Sequence, residues 1–198
     1  MRKTRGLPEE KGELVPKTAL VLLAEGFEEM EAIAPVDVLR RAGVRVVLAG
    51  VNSLTVKSSR NLGVQADALL KDIKDLPDVV ILPGGLPGVT NLAKSVEVAR
   101  LVKQTSVAGK LVAAICAAPA VVLAPLGILD GKKATCYPGC ETDFSGKTVY
   151  SKERVVVDGD IITSQGPGTA LEFALVIAAR LAGQEMADIV RGKMLIKV

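Results

Sequence analysis

The chain has 198 residues, with 25 Lys+Arg against 22 Asp+Glu, three Cys, five aromatic residues and no histidine. Without an imidazole the chain itself holds no Ser-His-Asp or Cys-His relay, no HExxH zinc site and no base of near-neutral reference pKa. The length fits one domain, 49% apolar with 24% charged residues is an ordinary globular composition, and so few aromatics argue against a stacking platform for single-stranded nucleic acid.

Residues 1–17 hold five basic and three acidic groups, so most of the net charge of +3 lies in this opening segment. It lacks the apolar stretch of a signal peptide, and Glu9, Glu10 and Glu13 are foreign to a transit peptide. The expectation is a flexible tail ahead of one α/β domain over 18–198. That nearly neutral body offers no clustered field for duplex DNA, so no nucleic-acid partner is expected. Three cysteines without a disulfide pattern suit a reducing, cytoplasmic location.

In chain order, the apolar run 18–24 predicts a buried strand ending at Glu25-Gly26. Apolar positions at helical intervals over 28–42, closed by Arg40, Arg41 and Gly43, predict a helix. Strands follow at 44–50, more weakly at 62–66, and at 79–82 before Pro83-Gly84-Gly85; a helix over 96–105 leads to a strand at 111–115. Residues 111–129 carry no charge over 19 positions, the length of a membrane span. Pro119, Pro125 and Gly127 favour instead a strand, a sharp turn at Cys116 and a helix from Ala117 with Pro119 in its first turn. No membrane contact is expected. Segments 154–157 and 160–163 flank Asp158-Gly159, a type I′ hairpin signal and the clear antiparallel element. Helices at 169–182 and 185–191 close the chain. Strands alternating with helices predict a mainly parallel sheet with helices on both faces and one β-hairpin.

Cys116, where a buried strand meets a helix, reads in two ways. Beside the unpaired N–H groups of a helix start, a thiol ionises more readily and serves as a nucleophile; equally, a free Cys in an apolar segment is a small buried hydrophobe. On a helix over 28–42, Glu31 shares the apolar face of Ala34, Pro35, Val38, Leu39 and Ala42. A carboxyl buried there has its pKa raised and can carry a proton; the alternatives are that Glu31 reaches solvent or caps the helix, or that Pro35 kinks the helix or marks its true start. Gly84-Gly85 after a strand suits backbone oxyanion donors or a plain turn. Cys136 and Cys140 are a C-x-x-x-C pair, redox-active or two ordinary loop cysteines. With no histidine and the third Cys elsewhere, no metal is expected. Gly166-Pro167-Gly168 before a helix reads as an anion site or a tight turn.

Seven segments in register carry a resemblance: 19–24 (ALVLLA), 28–31 (EEME), 35–43 (PVDVLRRAG), Ser59-Arg60, 79–85 (VVILPGG), 113–119 (AAICAAP) and 163–169 (TSQGPGT), continuing to 172–175 (EFAL). Through them the chain resembles the parkinsonism-associated deglycase (DJ-one) family of the ThiJ/PfpI superfamily. The resemblance implies a flavodoxin-like three-layer α/β sandwich, usually a homodimer, that needs no cofactor. It implies a reactive cysteine at Cys116, a protonated partner at Glu31, and backbone donors at Gly84, Gly85 and Ala117. Arg60 and Arg41 match arginines near the family's site and dimer interface. Tyr137 stands where members often carry a histidine, and tyrosine is a poor base with a reference pKa of about 10. The implied function is a glyoxalase or protein deglycase acting on methylglyoxal, a small reactive aldehyde, or its adducts, with an oxidative-stress response through the same cysteine. The alternative is a non-enzymatic redox sensor or redox-regulated chaperone.

Overall fold

The computed structural model describes residues 16–197. Of the expected tail, residues 1–15 lie outside the described residues. The elements are β1 (Thr18–Leu23), α1 (Glu29–Arg41), β2 (Arg45–Gly50), β3 (Thr55–Lys57), β4 (Gly63–Gln65), β5 (Ala68–Leu69), β6 (Val79–Leu82), α2 (Gly88–Lys94), α3 (Val96–Val107), β7 (Leu111–Ile115), β8 (Lys133–Ala134), β9 (Val149–Tyr150), β10 (Val155–Asp158), β11 (Ile161–Ser164), α4 (Ala170–Ala182) and α5 (Gln184–Lys193).

Seven strands form one sheet in the order β10-β11-β7-β6-β1-β2-β5, parallel except for β10. Its two faces follow from side-chain alternation along each strand. In β1, Ala19, Val21 and Leu23 turn to a core shared with α1, α4 and α5, while Leu20 and Leu22 turn to one shared with α2 and α3. β6 and β7 divide in the same way, with Ile81, Ala113 and Ile115 on the first side and Leu82, Val112 and Ala114 on the second. Strands covered on both faces have no polar side, which is why they read as unbroken aliphatic runs. The result is the expected flavodoxin-like sandwich of helices, sheet and helices.

Three local expectations change. The hairpin ladder runs on to Asp158↔Ile161, so the loop is Gly159-Asp160, and only Gly159 has positive φ (62°). Positive φ at the first loop residue alone is the type II′ pattern, not type I′. A second antiparallel pair, β3 with β4, joins Val56 to Val64. Beyond Cys116 no ordinary α-helix forms: Pro119 and Pro125 supply no N–H, and the segment 119–123 winds wider, with Ala124 N–H bonded to Pro119 O at 2.9 Å. Among the described residues no helix is long and apolar enough to cross a membrane.

Candidate active site

The sheet order reverses direction between β1 and β6, and in such sheets ligands settle beyond the carboxyl ends of the strands at that point. Three chain segments meet there: the first turn of α1, the turn after β6, and the sharp turn after β7.

Cys116 follows β7 with φ +66°, one of the few non-glycine residues in the left-handed region. Such a backbone is strained for a side chain with a Cβ and has to be held by its surroundings. Here Cys116 N–H donates to Ser164 O at 2.9 Å, and Tyr137 N–H donates to Cys116 O at 2.8 Å. The parallel neighbour β11 and the loop after β8 thus fix both ends of the residue.

Glu31 is fully buried. Its place on α1 is set by Glu28, which caps the helix by accepting from Glu31 N–H at 2.8 Å. Capping is therefore the work of Glu28, and Glu31 turns inward. Pro35 lies inside the helix, and the helix begins at Glu29. Gly84 N–H donates to Glu31 Oε2 at 2.7 Å, and the Cys116 thiol is a further polar neighbour of the carboxyl. Oε1 has no hydrogen-bond partner of normal geometry.

Burial pushes Glu31 up to about 7, helped by the charge of Glu28 and opposed by the Gly84 N–H and the Cys116 thiol. Burial also pushes the Cys116 thiol up, as does an ionised Glu31, while the N–H groups of Ala117 and Gly85 pull it down. The expected easy ionisation at a helix start does not arise here, because no regular helix start is present and burial outweighs two N–H groups. Glu31 decides the balance: once its carboxyl is neutral, the opposing charge on Cys116 is gone. Near neutral pH the carboxyl is therefore the group that titrates, while burial keeps the proton on the Cys116 sulfur.

Gly84 separates the two groups. A Cβ built on it would lie 2.7 Å from Cys116 Cβ, 2.9 Å from Glu31 Oε2 and 3.1 Å from Cys116 Sγ, so only glycine allows them to flank the same backbone. Gly85 (φ +90°) is equally constrained, its Cβ position 2.4 Å from Glu28 N.

In front of Cys116 opens a cleft of about 570 Å³. Of the residues named as candidates from the sequence, Cys116, Ala117, Gly85, Arg60 and Tyr137 line it. Two of the anticipated residues take other places. Gly84 N–H is committed to Glu31, so the backbone donors facing the sulfur are Gly85 and Ala117. Arg41 lies at the far end of α1, paired with Asp37 at 2.9 Å, and does not line the cleft. Sequence reasoning missed Glu28, Ser59, Leu86, Pro138 and Cys140, which also line it. It also missed Glu29, whose carboxylate accepts from Ser58 Oγ, from Ser59 Oγ at 3.2 Å and from Arg60 N–H at 2.8 Å. That acidic clamp sets the turn that carries Arg60. Among the described residues no group of three metal-ligating side chains converges.

The DJ-1/PfpI family matches residues 17–180. The chain is 46% identical to Protein dj-1beta of Drosophila melanogaster over 183 residues, covering 91% of this chain and 97% of that one. It is 41% identical to the glutathione-independent glyoxalase DJR-1.2 of Caenorhabditis elegans, covering 87% and 92%. The structure of oxidized Toxoplasma gondii DJ-1 superposes with a TM-score of 0.89 at 38% identity, covering 92% of this chain and all of that one.

Proposed function

The chain belongs to the DJ-1/PfpI family, and on that premise we propose that it is a glutathione-independent glyoxalase that converts methylglyoxal, or its adducts, through Cys116. The observation that carries the reading is the Cys116–Glu31 pair around Gly84, with the sulfur open to a cleft and the carboxyl poised near neutral pH. A relative named as a glutathione-independent glyoxalase supports the reaction class.

Ionised Glu31 takes the Cys116 thiol proton as the sulfur adds to the aldehyde carbon of methylglyoxal, then passes it to the new oxygen, which gives a hemithioacetal and restores the carboxylate. Gly85 and Ala117 N–H groups, already turned to the sulfur, receive the developing oxyanion. The Glu31 carboxylate takes the proton from the former aldehyde carbon and returns it to the neighbouring carbon, while the hydroxyl proton passes to the neighbouring oxygen, which leaves a lactoyl thioester. Water hydrolyses the thioester, releases lactate and restores the thiol; the sum is one methylglyoxal and one water giving one lactic acid. Arg60 and Tyr137 border the substrate space without taking part in proton transfer. The test is lactate production from methylglyoxal by purified protein without glutathione. Activity no greater than that of Cys116→Ala overturns the enzyme reading.

Redox sensing at the same cysteine is a second reading, favoured by the superposition with an oxidized relative. A neutral Glu31 carboxyl donates a hydrogen bond to a Cys116 sulfinate. With peroxide in excess, two added oxygens on Cys116 ahead of Cys136 and Cys140 are expected by mass spectrometry; equal labelling of all three counts against it. We further propose that the protein acts in the cytoplasm as a homodimer, a reading supported for the dimer by the exposure of the apolar Met30 and Ile33 on α1. Met30→Glu would then halve the mass in solution.

A further inference from the structure

Cys140 lines the same cleft as Cys116, and the glyoxalase chemistry has no use for it. Two backbone hydrogen bonds tie their positions together: Tyr137 N–H to Cys116 O at 2.8 Å, and Cys140 N–H to Tyr137 O at 2.9 Å. Both thiols are free and half-buried, whereas Cys136 is fully buried and pushed up to about 12 by that burial, with further contributions from Cys140, Glu141 and Asp143. Two of the three cysteines therefore face one space, and the third faces the core.

The turn that carries Cys140 lies at the surface, held by its own hydrogen bonds, including Gly139 N–H to Glu141 at 2.6 Å. Gly139 has φ +97°, with nothing within 4 Å of a Cβ built there, and no residue of the turn Cys140–Asp143 is buried. A disulfide needs Cα atoms about 4.4–6.8 Å apart, so closing one requires this exposed turn to shift towards Cys116 and release the Cys140 N–H from Tyr137 O.

We propose that Cys140 is the resolving thiol of Cys116: once a hydroperoxide has oxidised Cys116 to the sulfenic acid, Cys140 attacks that sulfur and closes a Cys116–Cys140 disulfide across the cleft. The proposal rests on Cys116 being the reactive cysteine. In the first step the Cys116 thiolate attacks the terminal peroxide oxygen, the O–O bond breaks, and an alcohol (water, from hydrogen peroxide) leaves. In the second, the Cys140 sulfur displaces hydroxide from Cys116–S–OH, and that hydroxide takes the Cys140 proton as water. Two thiols and one hydroperoxide thus give one disulfide, one alcohol and one water. The bond blocks the cleft and stops oxidation below the irreversible sulfinate, so a thiol reductant restores the site. Burial and the Asp143 and Glu141 carboxylates push the Cys140 thiol up, which slows its attack and lets excess peroxide overtake it.

The test treats the reduced full chain with one equivalent of hydrogen peroxide, blocks remaining thiols under denaturing conditions, and maps peptides without reduction. The expected product joins the Cys116 and Cys140 peptides, two hydrogens lighter than the separate pair, and disappears with dithiothreitol. Cys140→Ser and Cys140→Ala should lose it and accumulate more Cys116 sulfinate than the parent. Oxidation at Cys116 with no such link, with a Cys136–Cys140 link in its place, or with equal sulfinate in parent and variants overturns the resolving role alone. If Cys116 stays unoxidised in every protein, the reactive-cysteine reading falls and takes the proposal with it.

Discussion

Gly84 N–H donates to Glu31 Oε2 at 2.7 Å, and the other oxygen of that carboxyl is left without a partner. One bond fixes the direction of the side chain; the unpaired oxygen, in a fully buried place, favours the protonated acid. The site's pH behaviour follows from this pairing.

Glu31 should make the protein more stable in mild acid than at neutral pH. Its folded pKa of about 7 lies above the ordinary 4.5, so between these values the native state holds a proton that the unfolded chain releases. The stabilisation is complete below 4.5 and is lost as pH rises through 7, on the order of 3 kcal/mol in all. Urea unfolding of the parent and Glu31→Gln from pH 4.5 to 8 checks it: the parent should weaken, and the variant should lack that slope.

The same Glu31→Gln change keeps the shape and the bond from Gly84 but removes the proton carrier. The turnover of methylglyoxal should fall by roughly 10²–10⁴, the usual contribution of a general acid–base group. Tyr137→Phe should stay within about threefold of the parent, because the phenol carries none of that transfer. Comparable losses in both variants would mean that Tyr137 shares the proton chemistry.

Gly84→Ala tests the space between the pair. Its Cβ would fall 2.7 Å from Cys116 Cβ, so backbone must shift, at roughly 1–3 kcal/mol. Activity should drop with Cys116 and Glu31 both intact, and thermal unfolding should report the strain.

Glu29→Ala removes the clamp on Ser58, Ser59 and Arg60 N–H. The KM should rise by about tenfold, the equivalent of one charge-assisted hydrogen bond, with kcat largely kept. An unchanged KM would show that the Arg60 turn needs no such support.

Much of this was legible in the chain. β6 and β7 were placed residue for residue, since a strand buried on both faces leaves a bounded aliphatic run. Glu31 could be found because a helix period puts it on an apolar face. The aim of a backbone N–H is another matter, as Gly84 illustrates: the Gly-Gly pair was visible, but only the approach of α1 determines that one N–H holds the acid and the next faces the sulfur. Arg41 shares a helix with Glu31 and still ends far from the cleft, at the opposite end of that helix. Cys140 reaches the cleft through pairing between Tyr137 and Cys116, a contact across 21 positions that no local pattern records.

The left-handed backbone at Cys116 sets a conflict between durability and reactivity. An L-residue there is destabilised by about 1–2 kcal/mol relative to glycine, so Cys116→Gly should unfold at higher denaturant than Cys116→Ala, and both should be inactive. Glycine at this one position would harden the fold and silence it, so the cysteine's chemistry is kept here against the preference of the backbone.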